Sequence, residues 1–177
     1  MIEALHTNPT QLTGLLVFSA AAIVCARTGR LRADRLWFRV SAASAACTAE
    51  VAIGVRHLAH GAVNTVLQAR GWYGSREPVQ ILLLAIALLL AAGTLACMVR
   101  MRHADANLRV ASAAAAAALW LFLIEAISLH AVDAFMYVAI GPVLAIGWLW
   151  AVAALVVAVM ALRATKVRRP AIAARRR

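Results

Sequence analysis

The sequence predicts an all-α integral membrane protein, a five-helix transmembrane bundle with its N-terminus outside and its C-terminus in the cytoplasm, and three observations carry that expectation. Hydrophobic residues make up 64% of the 177 residues and mean hydropathy is +0.84, against ~45–50% apolar content in soluble domains. The apolar residues fall into five stretches, near the ~20 residues needed to cross a hydrocarbon core. Fifteen of the 18 Lys and Arg lie after the first stretch, after the third and in the tail, and a bias of that kind marks the cytoplasmic side.

The first span, about 12–26, is the shortest, and Gly29 in the basic turn that follows reads as a helix stop. The second, about 36–60, opens with Trp37 and Phe38 and continues through Ser41, Ser44, Cys47 and Thr48. Such small side chains let a neighbouring membrane helix come close. The third, about 79–98, is almost unbroken Leu, Ile and Ala and is the span expected to face lipid most. A second basic turn with Arg100, Arg102 and Arg109 leads to the fourth, about 110–130. The fifth, about 138–162, carries Gly141-Pro142 near its start, where proline is tolerated in a helix. Residues 1–165 therefore read as one transmembrane domain and 166–177 as a basic cytoplasmic tail.

A net charge of +11 would fit nucleic acid in a soluble chain. Here the basic residues flank apolar runs, so they set topology, and nucleic acid is not an expected partner. Membrane lipids are, with a membrane-protein partner or a second copy of the chain left open. The first apolar run has no cationic segment before it, which argues against a cleaved signal peptide. Cys25, Cys47 and Cys97 stand singly within apolar segments and read as packing residues. The Ala- and Arg-rich composition fits a bacterial genome of high GC content, which places the chain in an inner membrane with the remaining arginines, Arg56, Arg70 and Arg76, toward the periplasm.

Polar residues inside the spans are the functional signal, because an ionisable side chain at mid-bilayer costs roughly 2.5–3.5 kcal/mol on insertion scales. His57 lies 22 residues beyond Arg35 and His130 lies 21 beyond Arg109, or roughly 30 Å up each helix at 1.5 Å per residue. Glu50 and Glu125 lie 15 and 16 residues up from the same arginines. Two helices thus place a carboxylate below and a histidine above, at matched depth. Glu50, His57 and Asn64, seven apart, form one stripe. On the fourth helix Glu125 and His130 are about 140° apart at 100° per residue, with Asp133 between them.

An outer-leaflet site follows, with His57, His60, His130, Asp133, Glu50 and Glu125 as candidate metal ligands. His57 and His130 would alternatively hold a haem, with Arg56, Tyr73 and Arg76 closing the top. Imidazoles and carboxylates on facing helices are a usual ligand set of helical bundles, so a metal ion or haem in a redox or electron-transfer role is the first expectation. Two alternatives stay open. One is a metal-free enzyme that acts on a lipid or other hydrophobic substrate, with Glu50 and Glu125 as catalytic acid and base. The other is an accessory or assembly subunit of a membrane complex, in which the polar groups are interhelical hydrogen bonds. No Walker loop, zinc-protease helix, nucleophile elbow or dinucleotide fingerprint is present to add a further chemistry.

Overall fold

The computed structural model describes residues 8–55, 58, 61–62, 65, 68–69, 77–127 and 134–167. The chain is nearly all helical: α1 (Pro9–Arg32), α2 (Arg35–Ile53), α3 (Glu77–Arg100), a 3-10 turn (Met101–His103), α4 (Ala106–Ile127), a two-stranded hairpin β1 (Ala139–Ile140) and β2 (Val143–Leu144), and α5 (Ala145–Val167). Among the described residues, five helices are long and apolar enough to cross a membrane. Connections between α1 and α2 and between α3 and α4 are short, so their basic residues gather at one end of the bundle. The opposite end carries the start of α1, the ends of α2 and α4 and the start of α5.

Capping chemistry sets the boundaries, and it moves several of them away from the apolar runs. α1 begins at Pro9 because Asn8 caps it, accepting from the Gln11 amide at 2.7 Å, with proline at the first helical position where its missing N–H is no loss. It also runs past Gly29 to Arg32 and ends on Ala33 in the left-handed region at φ 52°. Gly29 is therefore no helix stop: a Cβ there would meet the Phe38 ring at 3.1 Å, so the residue serves a close approach of α1 and α2. Asp34 caps α2 through the Leu36 amide, and Asp105 caps α4 through the Asn107 amide.

α2 stops at Ile53. Gly54 adopts φ +68° and returns its N–H to the Glu50 carbonyl at 2.7 Å, a left-handed helix end that glycine enters without steric cost. The described residues of 55–69 are again helical, so the helix expected over 36–60 is interrupted at Gly54; His57 and Asn64 of the expected stripe lie outside the described residues. The start of the fifth span differs as well. Gly141, at φ +66°, and Pro142 make a two-residue turn joining β1 to β2, with Ile140 opposite Val143. A positive φ followed by proline's fixed negative φ is the geometry a tight hairpin needs. α5 starts only after it.

Helix α1 packs most extensively on α2 and α5, α5 also packs on α4, and α3 leans on α4 and the 3-10 turn. Only 6% of the α3 span is buried, against 28–39% for the other four, in line with its apolar surface all round. The buried positions repeat at three and four residues: Phe18, Ala21 and Cys25 on α1; Trp37, Val40, Ser44, Cys47 and Val51 on α2; Leu108, Ala111, Ala115, Ala118, Phe122 and Glu125 on α4; Ile146, Trp150, Ala154, Val157, Ala161 and Ala164 on α5. Alanine and cysteine are frequent on these inner faces, which lets the helices approach closely where apolar surroundings supply no driving force for association. Cys25 and Cys47 are buried as expected, whereas Cys97 is exposed.

The tightest approach lies where α5 begins. A Cβ on Gly147 would stand 2.6 Å from Val143 Cγ1 and 2.8 Å from Thr10 Cγ2. Gly147→Ala is therefore expected to destabilise the detergent-purified protein by about 1–3 kcal/mol, the usual cost of overpacking. Gly93→Ala on α3, where an added methyl meets nothing within 4 Å, is expected to be neutral or to stabilise by up to ~1 kcal/mol through helix propensity. Thermal unfolding followed by circular dichroism separates the two; a Gly147→Ala midpoint equal to wild type would contradict this packing.

Candidate functional site

The interruption of α2 at Gly54 opens a space at the end of the bundle opposite the two basic turns. A cavity of about 390 Å³ lies there between the first turn of α1, the end of α2, the end of α4 and the start of α5. Its volume falls in the range of ligand pockets, ~300–1,000 Å³. Buried Ile146, Trp150 and Glu125 line it from within, and exposed Asn8, Ile53 and Leu58 line it at the surface.

Each wall has a local cause. Thr10 is buried because its hydroxyl accepts from the Leu144 amide at 2.9 Å, which ties the first turn of α1 to the hairpin. Gln11 reaches across to α2, its side-chain amide donating to the Val51 carbonyl at 3.1 Å. That carbonyl belongs to the last turn of α2, where helix carbonyls lose their intrahelical partners. Behind the cavity Trp150 stacks on Phe122 with centroids 5.0 Å apart, and Phe18 packs on both. Gly14 makes room for this: a Cβ there would meet the Trp150 ring at 3.0 Å and Val51 at 3.1 Å.

Among the described residues, Glu125 is the carboxyl side chain that lines the cavity. It is 8% exposed and sits at the end of the inner stripe of α4, and the Tyr137 hydroxyl donates to its Oε1 at 2.9 Å. Tyr137 itself lines the cavity, so one wall offers a carboxylate and a phenol in contact. Such a pair can bind a hydrogen-bond donor or a cation, or move a proton to and from a bound molecule.

Of the expected site residues, Glu125 lines this cavity and Glu50 does not. Glu50 is half-buried on α2 because the inner stripe passes through Cys47 and Val51, one residue away. Arg56, His57, His60, Tyr73, Arg76, His130 and Asp133 lie outside the described residues. Among the described residues no three His, Cys, Asp or Glu side chains come together in a group that could hold a metal ion. Sequence reasoning missed Gln11, Thr10, Tyr137 and Gly54. A signal existed for three: Asn8-Pro9 is a helix start that puts Thr10 and Gln11 inside α1, and a glycine such as Gly54 within an apolar helical run marks a candidate helix end. Tyr137, twelve residues from Glu125 across an intervening segment, left no local signal.

The fold and the cavity define a helical bundle with a carboxylate pocket at one end. No family model, curated protein or solved structure matches the chain.

A double-mutant cycle tests the Glu125 and Tyr137 contact. Tyr137→Phe and Glu125→Leu each remove the hydrogen bond, and their stability effects are expected to fall short of additivity by about 1 kcal/mol, the usual coupling of contacting polar groups. Strictly additive unfolding free energies would contradict the contact.

Proposed function

We propose that the chain is a multi-pass protein of a bacterial inner membrane, N-terminus outside, whose cavity faces the periplasm and binds a small amphipathic molecule with Glu125 as its polar anchor. The orientation draws its support from the basic residues, fifteen of 18 of which belong to one end of the bundle and the tail. The observation that carries the binding role is a carboxylate on the inner stripe of an otherwise apolar helix, opening into a cavity of about 390 Å³. A ligand that fits has a cationic or hydrogen-bond-donating head for Glu125, contacts for the Gln11 and Asn8 side chains, and an apolar body for Trp150 and Ile146. With Tyr137 beside it, Glu125 is also equipped for acid/base chemistry on a lipid-like substrate held in the same place.

A metal or haem in this region is a second reading, and one observation favours keeping it. Leu58, which follows His57 in sequence, lines the cavity, and Glu125 and Tyr137, which bracket the segment containing His130 and Asp133, line it too. In this reading His57, His60, His130 and Asp133 complete a ligand set with Glu125.

Purification in mild detergent, followed by native mass spectrometry, an absorbance spectrum and elemental analysis, separates the two. For an amphipathic ligand, wild type is expected to retain a small organic species that Glu125→Leu and Ile146→Trp lose by roughly 10–100-fold in occupancy, as removal of a charge-assisted hydrogen bond implies. For a metallocofactor, colour or bound metal is expected in wild type and reduced in His57→Ala and His130→Ala. A folded wild type that carries neither a retained molecule nor metal would contradict both.

A further inference from the structure

A second concavity lies at the other end of the bundle, and the geometry points to it as a binding site for one anionic phospholipid. Its phosphate would sit on Arg39 and its acyl chain between α2 and α4. The inference rests on the chain's spanning a membrane and is independent of the Glu125 cavity.

The groove encloses about 180 Å³ between α2, α4 and the last turn of α3. Its α2 wall is Leu36, Arg39, Val40 and Ala43, and its α4 wall is Ser112, Ala115, Ala116 and Leu119. Both sets follow the spacing i, i+3, i+4, i+7, which is one continuous face of a helix. The two helices run in the same direction from the arginine-rich end. Arg39 therefore stands ~6 Å along α2 from Arg35, and Ser112 ~9 Å along α4 from Ala106, at 1.5 Å per residue, while Ala43 and Leu119 lie deeper. The groove is thus polar at its end and apolar along its length, the polarity of a phospholipid entering from that side.

Charge complementarity identifies the head group. Among the described residues Arg39 is in no hydrogen bond or ion pair, whereas Arg32, at the same end, is held by the Ala164 carbonyl and Asp105. Arg39 also stands one turn above Arg35, and like charges four residues apart on a helix repel. A phosphate between them replaces repulsion with charge-assisted hydrogen bonds that the planar guanidinium is shaped to make. α3 leans on α4 and not on α2 to any comparable extent, so its end forms a side wall and leaves the groove open between α2 and α3.

Native mass spectrometry of the full chain with added phosphatidylglycerol or phosphatidylcholine tests this. Wild type is expected to retain one phosphatidylglycerol in preference to phosphatidylcholine. Arg39→Ala, which changes an exposed side chain, and Ala116→Phe, which fills the groove, are each expected to reduce that occupancy about tenfold or more. Arg163→Ala, on α5 and outside the groove, is expected to leave it unchanged. Equal retention of the two lipids, an Arg39→Ala variant that binds as wild type does, or an equal loss in Arg163→Ala would each overturn the site in favour of diffuse attraction to the basic end. None of these readouts depends on Glu125, so the cavity and the groove stand or fall separately.

Discussion

Close approach of α1 to the helices on either side of it is the constraint on which the rest of the bundle depends. Where the surroundings are as apolar as the helix faces, burial of apolar surface contributes little to association, and fit and interhelical hydrogen bonds must do so. α1 meets both requirements at each end. Near its start Gly14 lets Trp150 and Val51 come within contact, and Thr10 and Gln11 bond to the hairpin and to α2. Near its end Thr28 reaches the Ala161 carbonyl, and Arg32 joins the Ala164 carbonyl to Asp105, the residue that caps α4. Bonds of this kind are worth on the order of 1 kcal/mol each in membranes. Their placement at both ends, with small residues between, fixes the register of α1 on α5.

That register creates the cavity. α2 has to stop where Gly54 turns left-handed, and Gln11 occupies one of the carbonyls exposed there. The start of α5 is displaced by the hairpin, whose Gly141-Pro142 turn lies where an unbroken helix was expected. The aromatic cluster of Phe18, Phe122 and Trp150 fills the space beneath, so the room that remains is at the end of the bundle. There the inner stripe of α4 presents Glu125, and Tyr137 returns to meet it.

Much of the fold was legible in the sequence because length and composition alone specify helices of this kind. The number of helices and the outward-facing α3 follow from apolar runs and from the absence of polar residues between Gln80 and Thr94. Which face of α1 and α4 points inward did not follow from hydrophobicity, since polar and apolar residues are spread round these two helices and leave no polar side to orient them. The inner stripe of α4 runs through Ala111, Ala115 and Ala118 to Glu125, and that of α2 runs through Ser44 and Cys47 past Glu50 to Val51, and residue size does not mark either, since alanines also occupy the outer faces of both helices. The two glutamates looked equivalent by depth and differ by facing. Helix ends were misjudged wherever caps and not apolarity set them, at Asn8, Ala33 and Gly54. The contact of Glu125 with Tyr137 depends on the path of the chain after α4, which no local pattern encodes.

The central claim, a Glu125 cavity that opens at the end of the bundle away from the two basic turns, is tested most directly by chemical accessibility. In a background without the three native cysteines, Glu125→Cys in sealed vesicles of known orientation would be treated with a small, charged, membrane-impermeant methanethiosulfonate. Modification is expected from the face opposite the basic tail and none from the face that carries it. A cysteine at this position that reacts only from the arginine-rich side, or from neither side while the protein remains folded, would contradict it.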